Sequence, residues 1–273
     1  MNLKPYIIGI LCVWLTACSN ISEEERYIYV KPAQAARCIL IEDFTGQRCV
    51  NCPTATAEIE KLQQQYGADT IIAVGIHSGP LGFAGNATNI GLMTDTGNEY
   101  YNYWHVEYQP AGIINRNGGV LSYTDWQAKV YNELQKKAPL TLKAVNNYDE
   151  TSRMLTINVN AMGTDGDSEG FLQLWIVEDN ITAMQLRYNI ITDPGSGQIT
   201  DREYRHSHVF RTAVNGTWGD AFSIHEGEER DYQFSYKIPE EWDVSSLSVI
   251  AFVYNSQGVL QVTRQAVTPI ENS

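Results

Sequence analysis

Two cysteines separated by two residues, in the run Cys49-Val50-Asn51-Cys52, have the types and spacing needed for thiol–disulfide chemistry. They stand between a strand-like apolar run and a helix-like segment, so the first thiol is expected beside the free N–H groups of a helix N-terminus. Such a position lowers a thiol pKa from about 8.5 towards about 3.5–7.5 and supplies thiolate near neutral pH. The second thiol can then attack a mixed disulfide formed by the first. The pair predicts either a redox-active disulfide or a permanent stabilising disulfide of an exported protein.

Other residues with potential thiol or metal chemistry give weaker patterns. Cys38 is either a third redox thiol or a small apolar side chain at the start of a strand. The sequence holds no second cysteine pair to complete a zinc site, and we expect neither a metal nor a cofactor. Acids alternate between Asp165 and Gly170 as in calcium loops, but the later glutamate of an EF-hand is missing, which favours a solvated turn. His206 and His208 could share a strand face, yet no third ligand accompanies them, which favours ordinary polar strand residues.

Strands and helices alternate along the region that must position the cysteine pair, which indicates an α/β domain. Pro53 suits the first turn of a helix and Gly67 its end. The hydrophobic spacing predicts a strand over 39–44, a helix over 53–66, a strand over 70–76, a helix over about 99–106, a hairpin of 111–114 with 119–121, and a last helix that carries Trp126, Val130 and Leu134.

The pattern changes after Pro139 to strands alone. Alternating apolar residues, frequent threonines and turn-forming clusters predict an all-β sandwich of the immunoglobulin-like type, interrupted by a long connection from about Asn180 to Arg205. The predicted strands cover 140–145, 154–159, 171–177, 231–238, 247–254 and 259–267. The predicted organisation is a signal peptide over 1–17, a tether over 18–36, an α/β domain over 37–138 and a β-sandwich domain over 139–273.

The order of strand, Cys-Val-Asn-Cys, helix, strand and a later isolated proline before a hairpin resembles the thioredoxin-like superfamily. The resemblance implies that Cys49 is the attacking thiol and Cys52 the resolving one. Asp43, six residues before Cys49, matches the buried acid that assists proton transfer in thioredoxins. Pro110 matches the cis-proline that faces the disulfide, where an extended backbone can pair with a substrate strand.

Some residues near the cysteine pair depart from the thioredoxin pattern. Arg48 replaces the usual aromatic residue before the first cysteine and could stabilise a Cys49 thiolate, and Gln109 replaces the common threonine or valine. The aromatic run of the second predicted helix either lines a groove near the disulfide or belongs to the helix core. It consists of Tyr100, Tyr101, Tyr103 and Trp104.

The N-terminus predicts export and a lipid anchor. The apolar run 5–15 is shorter than the roughly 20 residues that span a bilayer and fits a signal sequence. Leu15-Thr16-Ala17-Cys18 resembles the lipobox of bacterial lipoproteins, which implies cleavage after Ala17 and lipid on Cys18; the alternative is a plain secretory signal. The acidic stretch 22–25 resembles export signals of surface lipoproteins in Bacteroidetes-type bacteria, or is a solvated tether.

Three longer segments, 41–53, 208–211 and 215–219, resemble one Bacteroidetes family of outer-membrane lipoproteins, founded on a twenty-eight-kilodalton outer-membrane protein. The resemblance implies a thioredoxin-like domain followed by a β-rich C-terminal domain. It also implies a lipid-anchored location at the outer membrane, on the cell surface or on the periplasmic face.

The charge of the chain restricts its partners. Lys and Arg total 19 against 32 Asp and Glu, a net charge of −13, so the surface repels phosphate backbones and no nucleic-acid partner is expected. Two functions stay open: a thiol–disulfide oxidoreductase of the cell envelope, or a surface binding or adhesion lipoprotein in which the disulfide is only scaffold. Either would act on an envelope or surface protein or peptide, and would reach the membrane through the lipid on Cys18.

Overall fold

The computed structural model describes residues 31–33, 35–189 and 197–268. The predicted signal peptide, Cys18 and most of the predicted tether lie outside the described residues. Among the described residues, no helix is long and apolar enough to cross a membrane. The strands are β1 Ala35–Ala36, β2 Ile39–Thr45, β3 Ile71–His77, β4 Ala111–Ile114, β5 Leu121–Ser122, β6 Lys137–Ala138, β7 Leu140–Asp149, β8 Met154–Gly163, β9 Ser168–Glu178, β10 Ile181–Tyr188, β11 Gln198–His206, β12 Val209–Ala213, β13 Asp220–Ile224, β14 Glu229–Lys237, β15 Leu247–Asn255 and β16 Gly258–Ala266. The α-helices are α1 Cys52–Tyr66, α2 Asp95–Tyr103 and α3 Trp126–Leu134.

The elements predicted around the cysteine pair are confirmed. Strand β2 pairs in parallel with β3 and antiparallel with β4, which continues into β5. Every residue of β2 and β3 is buried, as expected of strands covered on both faces. One of those faces packs against α1 and α3 in a core that includes Ile41, Ile59, Ala73 and Trp126.

Local signals set the ends of the helices. Pro53 stands in the first turn of α1, and the helix ends at Gly67, whose φ of 94° suits a residue without Cβ. The second helix starts earlier than the predicted residue 99, because the Thr94 side chain caps it by accepting a hydrogen bond from the Gly97 N–H at 3.0 Å.

The C-terminal half is mostly strand, as predicted, and forms a β-sandwich. Strands β7, β8 and β14 make a three-stranded antiparallel sheet, in the order β14–β8–β7. Alternate apolar residues of that sheet pack on β9 and β15 and bury a common core. This core contains Leu155, Ile157, Val159, Leu174, Ile176, Val249 and Ala251.

A single nine-stranded sheet contains strands from both sides of the predicted boundary at residues 138 and 139. Its order is β16–β15–β9–β12–β3–β2–β4–β5, with β13 paired to β9. Strand β12 makes the link, because it pairs antiparallel with β9 and, through Val209 and Gly75, in parallel with β3. A further core buries the second face of β2 and β3 with β9 and β15, and includes Phe44, Ile76, Trp175 and Phe252. The predicted domain boundary stays a prediction.

The predicted irregular connection from Asn180 to Arg205 is wrong, since β10 and β11 form an antiparallel ladder there. The chain turns after β9 at Asn180, whose φ is 62°. Many of the side chains on these two strands are exposed or half-buried, so the apolar alternation that reveals a strand is weak in the sequence. Strands β12 and β13 were not predicted either.

Candidate functional site

Cys49 and Cys52 form a disulfide at the start of α1, with an S–S distance of 2.05 Å. The pair therefore occupies the predicted position between β2 and the first helix. Both residues are only 2% exposed. In the oxidised protein, the sulfurs are closed off from solvent, which is unexpected for a pair that must meet a protein substrate.

Asp43 lies on β2 and is 3% exposed. Because side chains alternate across a strand, Asp43 shares the α1-facing side of β2 with Ile41. Its Oδ1 has no hydrogen-bond partner among the described residues. Burial alone raises the pKa of the carboxyl from 3.8 to about 8. The acid predicted from the thioredoxin resemblance is thus deeply buried and uncompensated.

A small cavity of about 30 Å³ brings Asp43 and Cys52 together. A cavity of this volume is large enough to hold a water molecule. Thr56 of α1 also lines it, one helical turn after Cys52. The carboxyl and the second cysteine thus line the same small cavity, although they come from different elements.

Two neutral histidines, His77 and His206, also line this cavity. The rings of His77 and His206 meet edge to face, with centroids 5.1 Å apart. Burial lowers the pKa of His206 to about 4, and burial together with the neighbouring His206 lowers the pKa of His77. Both rings are neutral near pH 7, so neither offers Asp43 a cationic partner.

His206 and His208 do not share a strand face, so the weaker of the two interpretations of this pair is not supported. Strand β11 ends at His206, and His208 has a φ of 58°, which turns its side chain out of the strand register. The His208 Nδ1 lies 3.0 Å from the Asp179 Oδ1 instead. Nowhere in the described ranges do three or more His, Cys, Asp or Glu side chains form a group that could hold a metal ion.

Pro110 follows a cis peptide bond and is buried immediately before β4. The side chain of Gln109 donates hydrogen bonds to the carbonyls of Thr45, at 2.7 Å, and Ser78, at 3.0 Å. Those carbonyls mark the ends of β2 and β3. The proline loop and the loop that carries Cys49 therefore leave the sheet at the same edge.

The β10–β11 hairpin is hydrogen-bonded to the loop that carries Cys49, a contact that the sequence did not reveal. Gln185 of β10, itself 2% exposed, donates from Nε2 to the carbonyl of Cys49 at 2.8 Å and to that of Gly46 at 3.2 Å. The Leu186 N–H donates to the Gln47 carbonyl at 2.8 Å. Gln47 in turn donates to the Met184 carbonyl at 3.1 Å. The loop that carries Cys49 is thus hydrogen-bonded to β10, and Gln185 lies 136 residues after Cys49.

The remaining predicted residues take structural positions. Arg48 is exposed, with its guanidinium carbon 4.8 Å from the centroid of the Phe83 ring. Cys38 is a free, half-buried thiol whose pKa is raised mainly by burial. Asp165 forms an ion pair of 2.6 Å with Lys31, which fits the solvated turn.

The aromatic residues of α2 separate into two environments. Tyr100 is fully buried in the core that also contains Phe44 and Trp175. Tyr103 and Trp104 line a cavity of about 530 Å³ whose lining includes neither cysteine.

Residues 97–271 match the family described as outer membrane protein Omp28. HBP35 of Porphyromonas gingivalis has a similar fold, with a TM-score of 0.63 at 15% identity, over 86% of this chain and 77% of that one. A domain of the outer membrane lipoprotein Omp28 from Porphyromonas gingivalis is 23% identical, over 48% of this chain and 90% of that one, with a TM-score of 0.33.

No curated protein matches the sequence. The family match covers more than half of the chain and confirms the predicted location at the outer membrane. The lipid anchor on Cys18 stays a prediction. The chain belongs to the Omp28 family of outer membrane proteins.

Proposed function

We propose that the protein is a thiol–disulfide oxidoreductase of the cell envelope. In this proposal the elements from β2 to α3 form a thioredoxin-like domain, and Cys49 and Cys52 exchange electrons with a disulfide of an envelope or surface protein. The position of Pro110 immediately before β4 and the start of α1 at Cys52 support the assignment. The structural similarity to HBP35, at 15% identity, supports the fold and not the activity.

The position of Asp43 carries the proposal. A buried carboxyl without a hydrogen-bonded or charged partner is costly to ionise, and a purely structural disulfide has no need of one. Its pKa of about 8 lies near neutral pH, where a general base is most effective. Because Asp43 and Cys52 share a cavity, the fraction of Asp43 that is ionised near its pKa can take the proton from the Cys52 thiol.

The proposed exchange transfers two electrons from the Cys49–Cys52 dithiol to the partner disulfide. The Cys49 thiolate attacks one sulfur of the partner disulfide, which breaks that bond and releases one partner thiolate. Asp43 takes the proton of the Cys52 thiol, and the Cys52 thiolate attacks the Cys49 sulfur. The mixed disulfide breaks, the second partner thiolate leaves, and the Cys49–Cys52 bond forms. The partner is reduced and this dithiol oxidised; the same steps in reverse oxidise a partner dithiol.

Burial of the disulfide favours a second candidate. With both cysteines only 2% exposed beneath Gln185, the bond could serve as scaffold for a surface binding or adhesion lipoprotein. A structural disulfide usually has a reduction potential below about −300 mV, whereas catalytic disulfides lie above that value. One measurement of the potential therefore separates the two candidates.

The test combines that potential with turnover of a disulfide-bonded protein, insulin, in the presence of dithiothreitol. We expect a potential above about −300 mV, insulin reduction by the wild type, and loss of that activity in Cys49→Ser. Cys38→Ser is the matched control, since Cys38 is the free cysteine of the described residues, and it should keep full activity. Full activity in Cys49→Ser would overturn the proposal, and a potential below −300 mV without turnover would favour the scaffold.

A further inference from the structure

A cavity of about 530 Å³, within the usual range for small-molecule sites, lies apart from the disulfide. It opens between the end of α2, the turn before β13 and the turn between β15 and β16. No residue that lines the small cavity at Asp43 also lines this one. An inference about it is therefore independent of the proposed redox function.

Five aromatic residues line this cavity, and four of their rings form two pairs. The rings of Tyr103 and Trp218 have centroids 4.3 Å apart, and those of Phe171 and Tyr254 are 5.6 Å apart. Tyr103 is 58% exposed and Phe171 44% exposed, so part of each ring is open to a ligand. Their exposed faces provide flat, weakly negative surfaces for a ligand.

Hydrogen bonds hold one of the walls in place. The Trp218 indole N–H donates to Glu99 at 3.1 Å, and the Thr217 hydroxyl donates to the same carboxylate at 3.0 Å. The Tyr254 hydroxyl donates to the Trp218 carbonyl at 2.7 Å. A wall fixed before a ligand arrives loses little conformational freedom on binding.

Two side chains that line the cavity carry buried hydrogen-bond donors without acceptors. Arg116 lines the cavity, and its Nη1 has no hydrogen-bond partner in the described part of the chain. The same holds for the indole Nε1 of Trp104, which also lines the cavity. Asn255 and Ser256 add an amide and a hydroxyl at the outer turn. The cavity therefore suits a ligand that brings oxygen acceptors.

Charge decides what kind of acceptor fits. The Arg116 guanidinium already forms an ion pair with the fully buried Glu42, through Nη2 at 3.0 Å and Nε at 3.1 Å. The pair is neutral overall, and the whole chain carries a net charge of −13, so an anion gains little attraction. A neutral oxygen, such as a hydroxyl, is the better match.

We propose that this cavity binds a short neutral saccharide. A sugar ring presents weakly positive C–H groups on its faces, which suit the negative faces of the aromatic walls, and hydroxyl groups around its edge. Those hydroxyls can accept from Arg116 and Trp104 and exchange hydrogen bonds with Asn255 and Ser256. An apolar peptide side chain would pack against the aromatic rings but leave the donors of Arg116 and Trp104 unpaired.

Titration of the purified protein, followed by tryptophan fluorescence and calorimetry, tests the proposal. The probes are maltose, lactose and diacetylchitobiose as neutral saccharides, sialyllactose as an anionic one, and N-acetyltryptophanamide as a peptide-like ligand. We expect saturable binding of at least one neutral saccharide. Tyr103→Ala should weaken that binding at least tenfold. Tyr131→Ala is the matched control, since Tyr131 is 56% exposed on α3 outside the cavity, and it should bind as the wild type does.

Two sets of results would overturn the saccharide site. One is binding of only sialyllactose or N-acetyltryptophanamide, or of no probe at all. The other is an equal loss of affinity in Tyr103→Ala and Tyr131→Ala. Cys49→Ser should leave saccharide binding unchanged, so failure of the redox proposal and failure of this one are distinguishable.

Discussion

The buried carboxyl of Asp43 predicts a strong dependence of stability on pH. Its pKa is raised by burial from 3.8 to about 8, so between these values the folded protein holds a proton that the unfolded chain has released. The unfolded state therefore binds fewer protons than the folded one, and the free energy of unfolding falls as pH rises through this window. Below about pH 4 both states are protonated and this contribution vanishes.

The shift sets the size of this effect. One pKa unit corresponds to about 1.4 kcal/mol, so the full difference between pH 4 and 8 is on the order of 5 kcal/mol. Between pH 5 and pH 8 the expected loss is about 3–4 kcal/mol. Asp43→Asn keeps the shape of the side chain and cannot ionise, so this part of the pH dependence should disappear.

Urea unfolding of the oxidised protein at several values between pH 5 and pH 8 measures the effect. The wild type should lose about 3–4 kcal/mol more than Asp43→Asn over this range. Asp69→Asn, which removes an exposed carboxyl, should follow the wild type. Parallel curves for the wild type and Asp43→Asn would refute the reasoning, because they would mean that Asp43 ionises in the folded protein as readily as in water.

Two further predictions concern contacts around the sheet. Gln185→Ala removes two hydrogen bonds to the loop that carries Cys49 and should speed reduction of the disulfide by dithiothreitol about tenfold. Gln198→Ala, which changes an exposed residue of the same hairpin, should leave the rate unchanged. Equal rates in both variants would mean that Gln185 does not protect the disulfide. Glu42→Gln leaves the Arg116 charge buried and unpaired and should lower the free energy of unfolding, measured in urea, by about 3–5 kcal/mol. Adding Arg116→Met should restore much of this loss. If the losses of the two single variants simply add in the double variant, the pairing is contradicted.

The sequence alone determined the local parts of the site. Apolar runs of strand length predicted β2 and β3, and Pro53 and Gly67 marked the ends of α1, because these signals depend only on neighbouring residues. The spacing of Cys49 and Cys52 was enough to predict a local disulfide. The resemblance to outer-membrane lipoproteins, carried by short sequence segments, predicted the family.

Only the tertiary structure decided the surroundings of those residues. The pKa of Asp43 depends on burial by elements distant in sequence, among them the strand that carries His206. The hydrogen bond to the Cys49 carbonyl comes from Gln185. The strand that carries Gln185 is polar and partly exposed, so it gives no periodic hydrophobic signal. The aromatic cavity joins α2 to turns more than a hundred residues away. Hydrophobic periodicity reports which residues are buried, and it is the packing of distant segments that decides what they are buried against.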